Sequence, residues 1–152
     1  FDINVKKSLE ITLKELHLGT CKTVVALRLG GDESLNNFLS SLIRDDHESA
    51  KRLQTIMATI TSEPYYENKR KFRSISGYQG LYEIKADGIR LYCFHDRLEA
   101  GSPQLIVATN GGSKNTTKEQ IRNIKRAAQL RERYLAAKPK AQIDYIELDD
   151  EN

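Results

Sequence analysis

Lys85 and Arg90 are the two side chains whose types and spacing could do chemistry in this sequence. They flank Asp87-Gly88, and runs rich in β-branched and aromatic residues lie on either side of that pair. An Asp-Gly pair between alternating runs predicts a two-residue hairpin in which both turn positions take positive φ. Such a turn places Lys85 directly opposite Arg90. Because like charges in that position repel, the pairing is easiest to explain if an anion binds between them.

The same register divides the hairpin into two faces, because side chains alternate along a strand. One face also carries Glu83 and Tyr92 beside the Lys85-Arg90 pair. A second interpretation of that face stays open: both long side chains extend into water, and Glu83, diagonal to Arg90, offsets their repulsion. The other face is predicted to lie in the core and carries Tyr82, Ile84, Ala86, Ile89, Leu91 and Cys93.

Composition predicts a single domain over residues 1–152 that is globular rather than disordered. Charged residues make up 30% of the chain, and no apolar run approaches the ~20 residues of a membrane span. The first residues lack the apolar segment of a signal peptide, so we expect a cytoplasmic protein with no membrane association. Cys21 and Cys93 are too few for a disulfide framework and have no metal-ligating company in the sequence. We therefore expect neither a metal nor another cofactor.

The net charge of +3 conceals an asymmetry along the chain. Residues 144–152 hold five of the 21 acidic residues and no base, which leaves a formal charge of +8 on residues 1–143. A basic body with an acidic tail is typical of proteins with an anionic partner, most commonly nucleic acid. The alternative is that the lysine-rich surface serves solubility alone.

The first half of the chain predicts strand, helix and helix after an ambiguous start. Within 1–22, Leu9, Ile11 and Leu13 alternate as in a strand, whereas Leu9, Leu13 and Leu16 fit a helical stripe. We predict a helix there. A β-branched strand follows at 23–29, and helices begin at Asp32 and at about residue 46. Two helices in succession predict a helical hairpin packed on the sheet.

The second half predicts a buried strand and a long basic helix. Residues 104–109 form a continuous apolar run, as in the interior of a sheet. Thr116 and Glu119 form a capping box, so we predict a helix from near Thr117 to about Ala136. Its basic side chains are either a solvated face or a binding surface that adjoins the hairpin. The helix is predicted to bury Ile121, Ile124, Ala127, Ala128, Leu130 and Leu135.

Three segments then resemble the RelE/HigB family of bacterial toxins, most closely its HigB branch, which is often described as phage-derived. The segments are Leu81-Tyr82-Glu83-Ile84-Lys85, Gly88-Ile89-Arg90-Leu91-Tyr92 and Lys114-Asn115-Thr116-Thr117. The resemblance covers about residues 23–137 and leaves an N-terminal extension, 1–22, and a tail, 138–152. It implies an α+β, RelE-like fold, with an antiparallel sheet, an N-terminal helical hairpin packed on it and a C-terminal basic helix.

The resemblance also implies an activity, which is ribosome-dependent cleavage of translated mRNA by the toxin component of a toxin-antitoxin system. The implied partners are a cognate antitoxin protein, mRNA and ribosomal RNA. The family's active-site bases fall on Lys85, Arg90 and Lys114, and Asn115 replaces a lysine of the family pattern. Glu83 competes with Lys85 as the general base that accepts a proton. Tyr92 either stacks on a nucleobase of the RNA or caps the sheet. Phosphate contacts are expected from Arg70, Lys71, Arg73, Lys118, Arg122, Lys125 and Arg126.

Two other functions are compatible with the same predicted fold. One is a gyrase poison of the related ParE branch, which generally lacks the convergent Lys/Arg set. The other is a non-catalytic module that holds RNA or an antitoxin on the basic surface. The tail also has alternatives, because Ile143–Leu148 alternates and could pair as an edge strand, could lie over the basic groove, or could be disordered.

Overall fold

A computed structural model describes residues 9–66, 68, 70–113 and 116–148 of the chain. This part is an α+β fold with one seven-stranded mixed sheet and three helices. None of these helices combines the length and apolar character that crossing a bilayer requires. The elements are β1 (Ile11–Leu18), β2 (Lys22–Leu29), α1 (Ser34–Asp45), α2 (His47–Ser62), β3 (Phe72–Ser74), β4 (Tyr82–Ala86), β5 (Ile89–Asp96), β6 (Gln104–Ser113), α3 (Thr117–Ala137) and β7 (Ile143–Ile146).

The sheet has the strand order β3-β4-β5-β6-β2-β1-β7. Four neighbouring pairs are antiparallel, whereas β2 pairs with β6 and β1 pairs with β7 in parallel. The prediction of a purely antiparallel sheet was therefore wrong. Parallel pairing needs a long crossover between the two strands, and the chain supplies one between β2 and β6 that contains both α1 and α2.

The predicted helix over residues 1–22 was also wrong where the chain is described, because Ile11–Leu18 is a strand. Ile11 and Leu13 are buried on one face of the sheet, and Leu16 packs against the core of the other face. The apolar alternation of this segment therefore corresponds to its structure, and the helical spacing of its leucines does not. Residues 1–8 of this predicted helix lie outside the described residues.

The helices α1 and α2 form where the sequence predicted them and pack on one face of the sheet. Asp46 begins α2, and its side chain accepts hydrogen bonds from the backbone N–H and the hydroxyl of Ser49. The pair follows β1 and β2, so it is not an N-terminal hairpin as predicted. Its apolar side and the predicted core face of the β4–β5 hairpin share one cluster, which includes Leu35, Leu42, Leu53, Ile56, Ile60, Ile84, Leu91 and Cys93.

The helix α3 covers the opposite face of the sheet, so the fold has three layers. Its N-terminus is capped by Thr116, whose hydroxyl accepts from the backbone N–H of Glu119 at 3.1 Å. The buried stripe differs from the prediction, because Ile121 is 46% exposed and Tyr134 is fully buried. The cluster under this helix includes Tyr92, Phe94, Ala127, Leu130 and Tyr134. The face that carries Lys85 and Arg90 is therefore covered along part of its length.

The segment Ile143–Ile146 is an edge strand beside β1. Glu15 fixes it, since its carboxylate accepts from the Tyr145 hydroxyl at 2.6 Å and from the Leu148 N–H at 3.0 Å. Four strands separate this edge from β4, so the alternative in which 143–148 lies over the hairpin was wrong. Residues 149–152 of the tail lie outside the described residues.

Candidate functional site

The β4–β5 hairpin has the predicted register, in which Lys85 stands opposite Arg90 and Glu83 stands opposite Tyr92. Asp87 takes a φ of +54°, whereas Gly88 lies outside the positive-φ region. The expectation of positive φ at both turn positions was therefore wrong for Gly88. Aspartate is one of the few residues with a side chain that adopts the left-handed region readily, so the turn closes with that conformation at Asp87.

The side chain of Arg90 stabilises this turn by hydrogen bonds to its backbone. Its side chain is buried, with 4% of the residue exposed, and Nη1 donates to the carbonyl oxygens of Asp87 at 2.7 Å and of Ile89 at 3.0 Å. A buried guanidinium requires such acceptors. These bonds use the N–H groups of Nη1, while the guanidinium carries further donors on Nε and Nη2. The guanidinium is thus held in one place beside Lys85.

A basic cleft opens at the turn end of the hairpin, where α2 borders one face of the sheet and Lys85 and Arg90 belong to the other face. Its volume is about 470 Å³. It unites two of the predicted catalytic residues, Lys85 and Arg90, with two of the predicted phosphate contacts, Arg70 and Lys71. Five cationic residues and one acidic residue line it. The lining residues are Arg52, Thr55, Ile56, Arg70, Lys71, Lys85, Ala86, Asp87 and Arg90.

Arg52 is the lining residue that sequence reasoning missed. It lies on α2, and its Nη1 meets Asp87 Oδ2 at 2.6 Å. Ile56, four residues later on the same helix, is buried. Since residues four apart share a helix face, that spacing was the available signal that Arg52 borders the sheet.

Glu83 and Tyr92 are buried on the hairpin, with 5% and 1% of each residue exposed. The carboxylate of Glu83 accepts a hydrogen bond from Arg73 Nε at 2.7 Å. Burial raises the pKa of Tyr92 above its usual value, and the charge of Glu83 adds to that effect. Tyr92 therefore offers no open ring face to a base, and its burial supports the interpretation that it caps the sheet.

The third predicted catalytic base, Lys114, and its neighbour Asn115 lie outside the described residues. The strand that leads to them does pair with the hairpin, as predicted. Ser113 stands opposite Ile89, and Gly112 stands opposite Arg90. The chain therefore leaves β6 beside the β4–β5 turn.

The basic residues of α3 do not line the cleft. Those predicted to contact phosphate are exposed along a helix that packs on the sheet face opposite α2. Arg126 Nη2 instead forms an ion pair with Asp32 Oδ2 at 2.7 Å. The predicted phosphate contacts thus divide between the cleft and a separate helix surface, which carries Lys118, Arg122, Lys125 and Arg126.

His95, the histidine nearest the hairpin in sequence, does not join the cleft. It lies five residues beyond Arg90 on β5, a distance of roughly 17 Å along a strand. Its ring packs edge-on against Tyr82 and Phe72, at centroid distances of 4.7 and 6.0 Å. Within the described ranges, no group of three or more His, Cys, Asp and Glu residues could hold a metal ion.

No family model matches the chain, and no curated protein matches it. The chemistry of the basic cleft must therefore be inferred from its own residues.

Proposed function

We propose that this protein is a RelE/HigB-like toxin, a ribosome-dependent endoribonuclease that cleaves translated mRNA. The observation that carries the proposal is the placement of Lys85 opposite Arg90 at the rim of the basic cleft. Two cations held together, with three more cations around them, suit a phosphodiester. A cognate antitoxin, mRNA and the ribosome are the proposed partners, and the cytoplasm is the proposed location.

The order of elements supports the proposal. From β2 to α3, the chain runs through a strand, two helices, antiparallel strands and a basic helix. The resemblance rests on that order and on the segments around Lys85, Arg90 and Thr116. The sheet adds β1 and β7 outside this core.

Cleavage by the 2′-OH of the RNA itself needs charge stabilisation and proton transfer. A base takes the 2′-OH proton, the oxygen attacks the phosphorus to give a 2′,3′-cyclic phosphate, and the bond to the 5′-oxygen breaks. The leaving 5′-oxygen takes a proton from water. Negative charge grows on the phosphate in between, where preorganised cations stabilise it. Arg90 is preorganised by the carbonyls of Asp87 and Ile89. Since the carboxylate of Glu83 is bonded to Arg73, Lys85 is the better candidate for the base. It acts as the base in its neutral form, so Arg90 and the other cations of the cleft stabilise the growing charge.

One observation favours a second candidate, a module that binds RNA without cutting it. The cations at the mouth of the cleft, Arg52, Arg70 and Lys71, are exposed. In contrast, Glu83, the residue that competes with Lys85 as general base, is buried. Binding thus needs only the exposed residues, whereas catalysis also needs Lys85 to serve as the base.

Mapping of transcript 5′ ends after induction tests these functions. The proposal expects new ends in translated mRNA, phased with codons, that disappear in Lys85→Ala. Lys51→Ala removes an exposed cation of α2 that does not line the basic cleft and should cut like the wild type. RNA binding without new transcript ends would contradict the nuclease and favour the binding module. DNA breaks would favour a gyrase poison.

A further inference from the structure

The carboxylate of Asp87, the acidic residue of the basic cleft, forms an ion pair with Arg52. Arg52 Nη1 and Asp87 Oδ2 lie 2.6 Å apart. The partners come from α2 and from the hairpin turn, which are separated by 34 intervening residues. The ion pair therefore spans the cleft between its two walls.

Because both side chains of this ion pair are exposed, Arg52 can readily exchange Asp87 for another anion. The side chains of Arg52 and Asp87 are 59% and 53% exposed, and ion pairs that exposed contribute little to stability because water screens them. A phosphate is a bidentate acceptor for a guanidinium and carries at least as much charge as a carboxylate. Arg52 can thus leave Asp87 for a phosphate at small cost.

The backbone of Asp87 is held in place, although the ion pair of its side chain with Arg52 can exchange. Arg90 Nη1 binds its carbonyl oxygen at 2.7 Å, and its φ of +54° belongs to the closed turn. The carboxylate therefore stays at the rim of the cleft, where it competes with any phosphate for Arg52.

We propose that Arg52 is an RNA phosphate-binding residue of the cleft and that Asp87 limits its affinity by competing for the guanidinium. RNA then passes the turn end of the hairpin, with Arg52 on the α2 side of the sheet and the Lys85-Arg90 pair on the other side. The inference rests on the proposed function for its substrate class. It adds a residue of α2 and an intramolecular competitor to the site.

The test measures binding of a short single-stranded RNA with 2′-O-methyl groups, which cannot be cleaved through its own 2′-OH. Arg52→Ala should weaken binding several-fold and reduce the slope of log affinity against log salt by about 0.7, the value of one phosphate contact on a single strand. Lys51→Ala, one residue away on α2 but outside the cleft, should leave both unchanged. An Arg52→Ala protein that binds like Lys51→Ala would overturn the inference.

Asp87→Asn tests the competition and keeps the turn, because asparagine also tolerates positive φ. It should tighten binding several-fold, and Arg52→Ala in the same chain should abolish that gain. A gain that persists in full in the double variant would mean that Asp87 acts only as a local charge, which contradicts the competition. Asp45→Asn removes an exposed acid on α1 and is the matched control.

Two readouts separate the failure of this inference from the failure of the proposed function. If the wild-type protein cuts mRNA but Arg52→Ala binds like Lys51→Ala, the nuclease stands and the role of Arg52 falls. If Arg52→Ala weakens RNA binding but no transcript is cut, the role of Arg52 stands and the nuclease falls.

Discussion

Arg73 Nε lies 2.7 Å from Glu83 Oε1, across the antiparallel pair of β3 and β4. The glutamate is buried, whereas half of the arginine side chain is exposed. A buried carboxylate must be paired or hydrogen-bonded, and Arg73 supplies such a partner for Glu83 inside the sheet. This ion pair indicates a structural role for Glu83, which the sequence predicted as a competing general base, and for Arg73, which it predicted as a phosphate contact.

Arg73→Ala is therefore expected to reduce stability. It leaves the buried carboxylate of Glu83 without this partner, and the partial exposure of Arg73 limits the cost to about 1 kcal/mol. Urea unfolding measures the change. Arg73→Ala/Glu83→Gln should recover part of the loss, because it removes the uncompensated charge. Arg44→Ala, at an exposed pair with Asp45, is the control and should unfold like the wild type. An equal midpoint for Arg73→Ala and the control would contradict the structural role.

If the proposed function holds, Arg90→Ala should abolish growth arrest on induction, and it should also weaken the fold. The substitution removes the donor to two carbonyl oxygens at the turn, and each such hydrogen bond contributes about 1 kcal/mol. Lys85→Ala should abolish growth arrest without a comparable loss of stability. Thermal melts of both proteins, compared with growth after induction, separate the effects. Growth arrest that survives in a folded Arg90→Ala protein would remove Arg90 from the mechanism.

His95 should make the fold less stable in mild acid. Burial lowers the pKa of its imidazole below the usual 6.5, and the positive charge of Lys22 acts in the same direction. The unfolded chain therefore takes up a proton at a higher pH than the folded chain. The free energy of unfolding should fall as the pH drops below about 6.5 and level off once the folded imidazole titrates.

Urea unfolding between about pH 5 and 7.5 covers this window. His95→Phe keeps an aromatic ring against Phe72 and Tyr82 and should flatten the dependence. The exposed His47 provides the control, since His47→Gln should keep the wild-type slope. A slope that is identical in His95→Phe and the wild type would assign the pH dependence to other groups.

The hairpin could be predicted from sequence because all of its determinants are local. The Asp87-Gly88 pair fixes the turn, and alternation over the flanking residues fixes the register, which the structure confirms. The same holds for the cap of α3 at Thr116, where partners lie three residues apart. Segment 9–16 could not be decided in this way, because its leucines fit both periods and only pairing with β2 selects the strand.

The site depended on relationships that sequence spacing does not encode. The pairing of Arg52 with Asp87 joins residues that only the packing of α2 against the sheet brings together. The burial of Tyr92 follows from α3 crossing that face of the sheet. The predicted buried stripe of α3 included Ile121, which is exposed, and omitted Tyr134, which is buried. Local chemistry therefore located Lys85 and Arg90, while tertiary packing determined which neighbours accompany them.

The tail should stabilise the fold and have no effect on RNA binding through the cleft. Ile143–Ile146 pairs with β1, and Glu15, which is buried, accepts hydrogen bonds from Tyr145 and Leu148. Deleting residues 144–152 removes both donors and leaves that carboxylate without them. We expect a loss of about 2 kcal/mol or more in the free energy of unfolding.

Tyr145→Phe isolates one of these bonds and should cost about 1 kcal/mol, because it removes the hydroxyl that lies 2.6 Å from Glu15 Oε2 and keeps the ring. Affinity for the 2′-O-methyl RNA should be the same in Tyr145→Phe and the wild type. The deletion also removes five negative charges, so its affinity should be compared at high salt, where distant charges are screened. No effect is expected there, because the edge strand β7 lies five positions from β4 in the sheet. A deletion that binds RNA more tightly even at high salt would contradict this prediction and mean that the tail restrains the cleft.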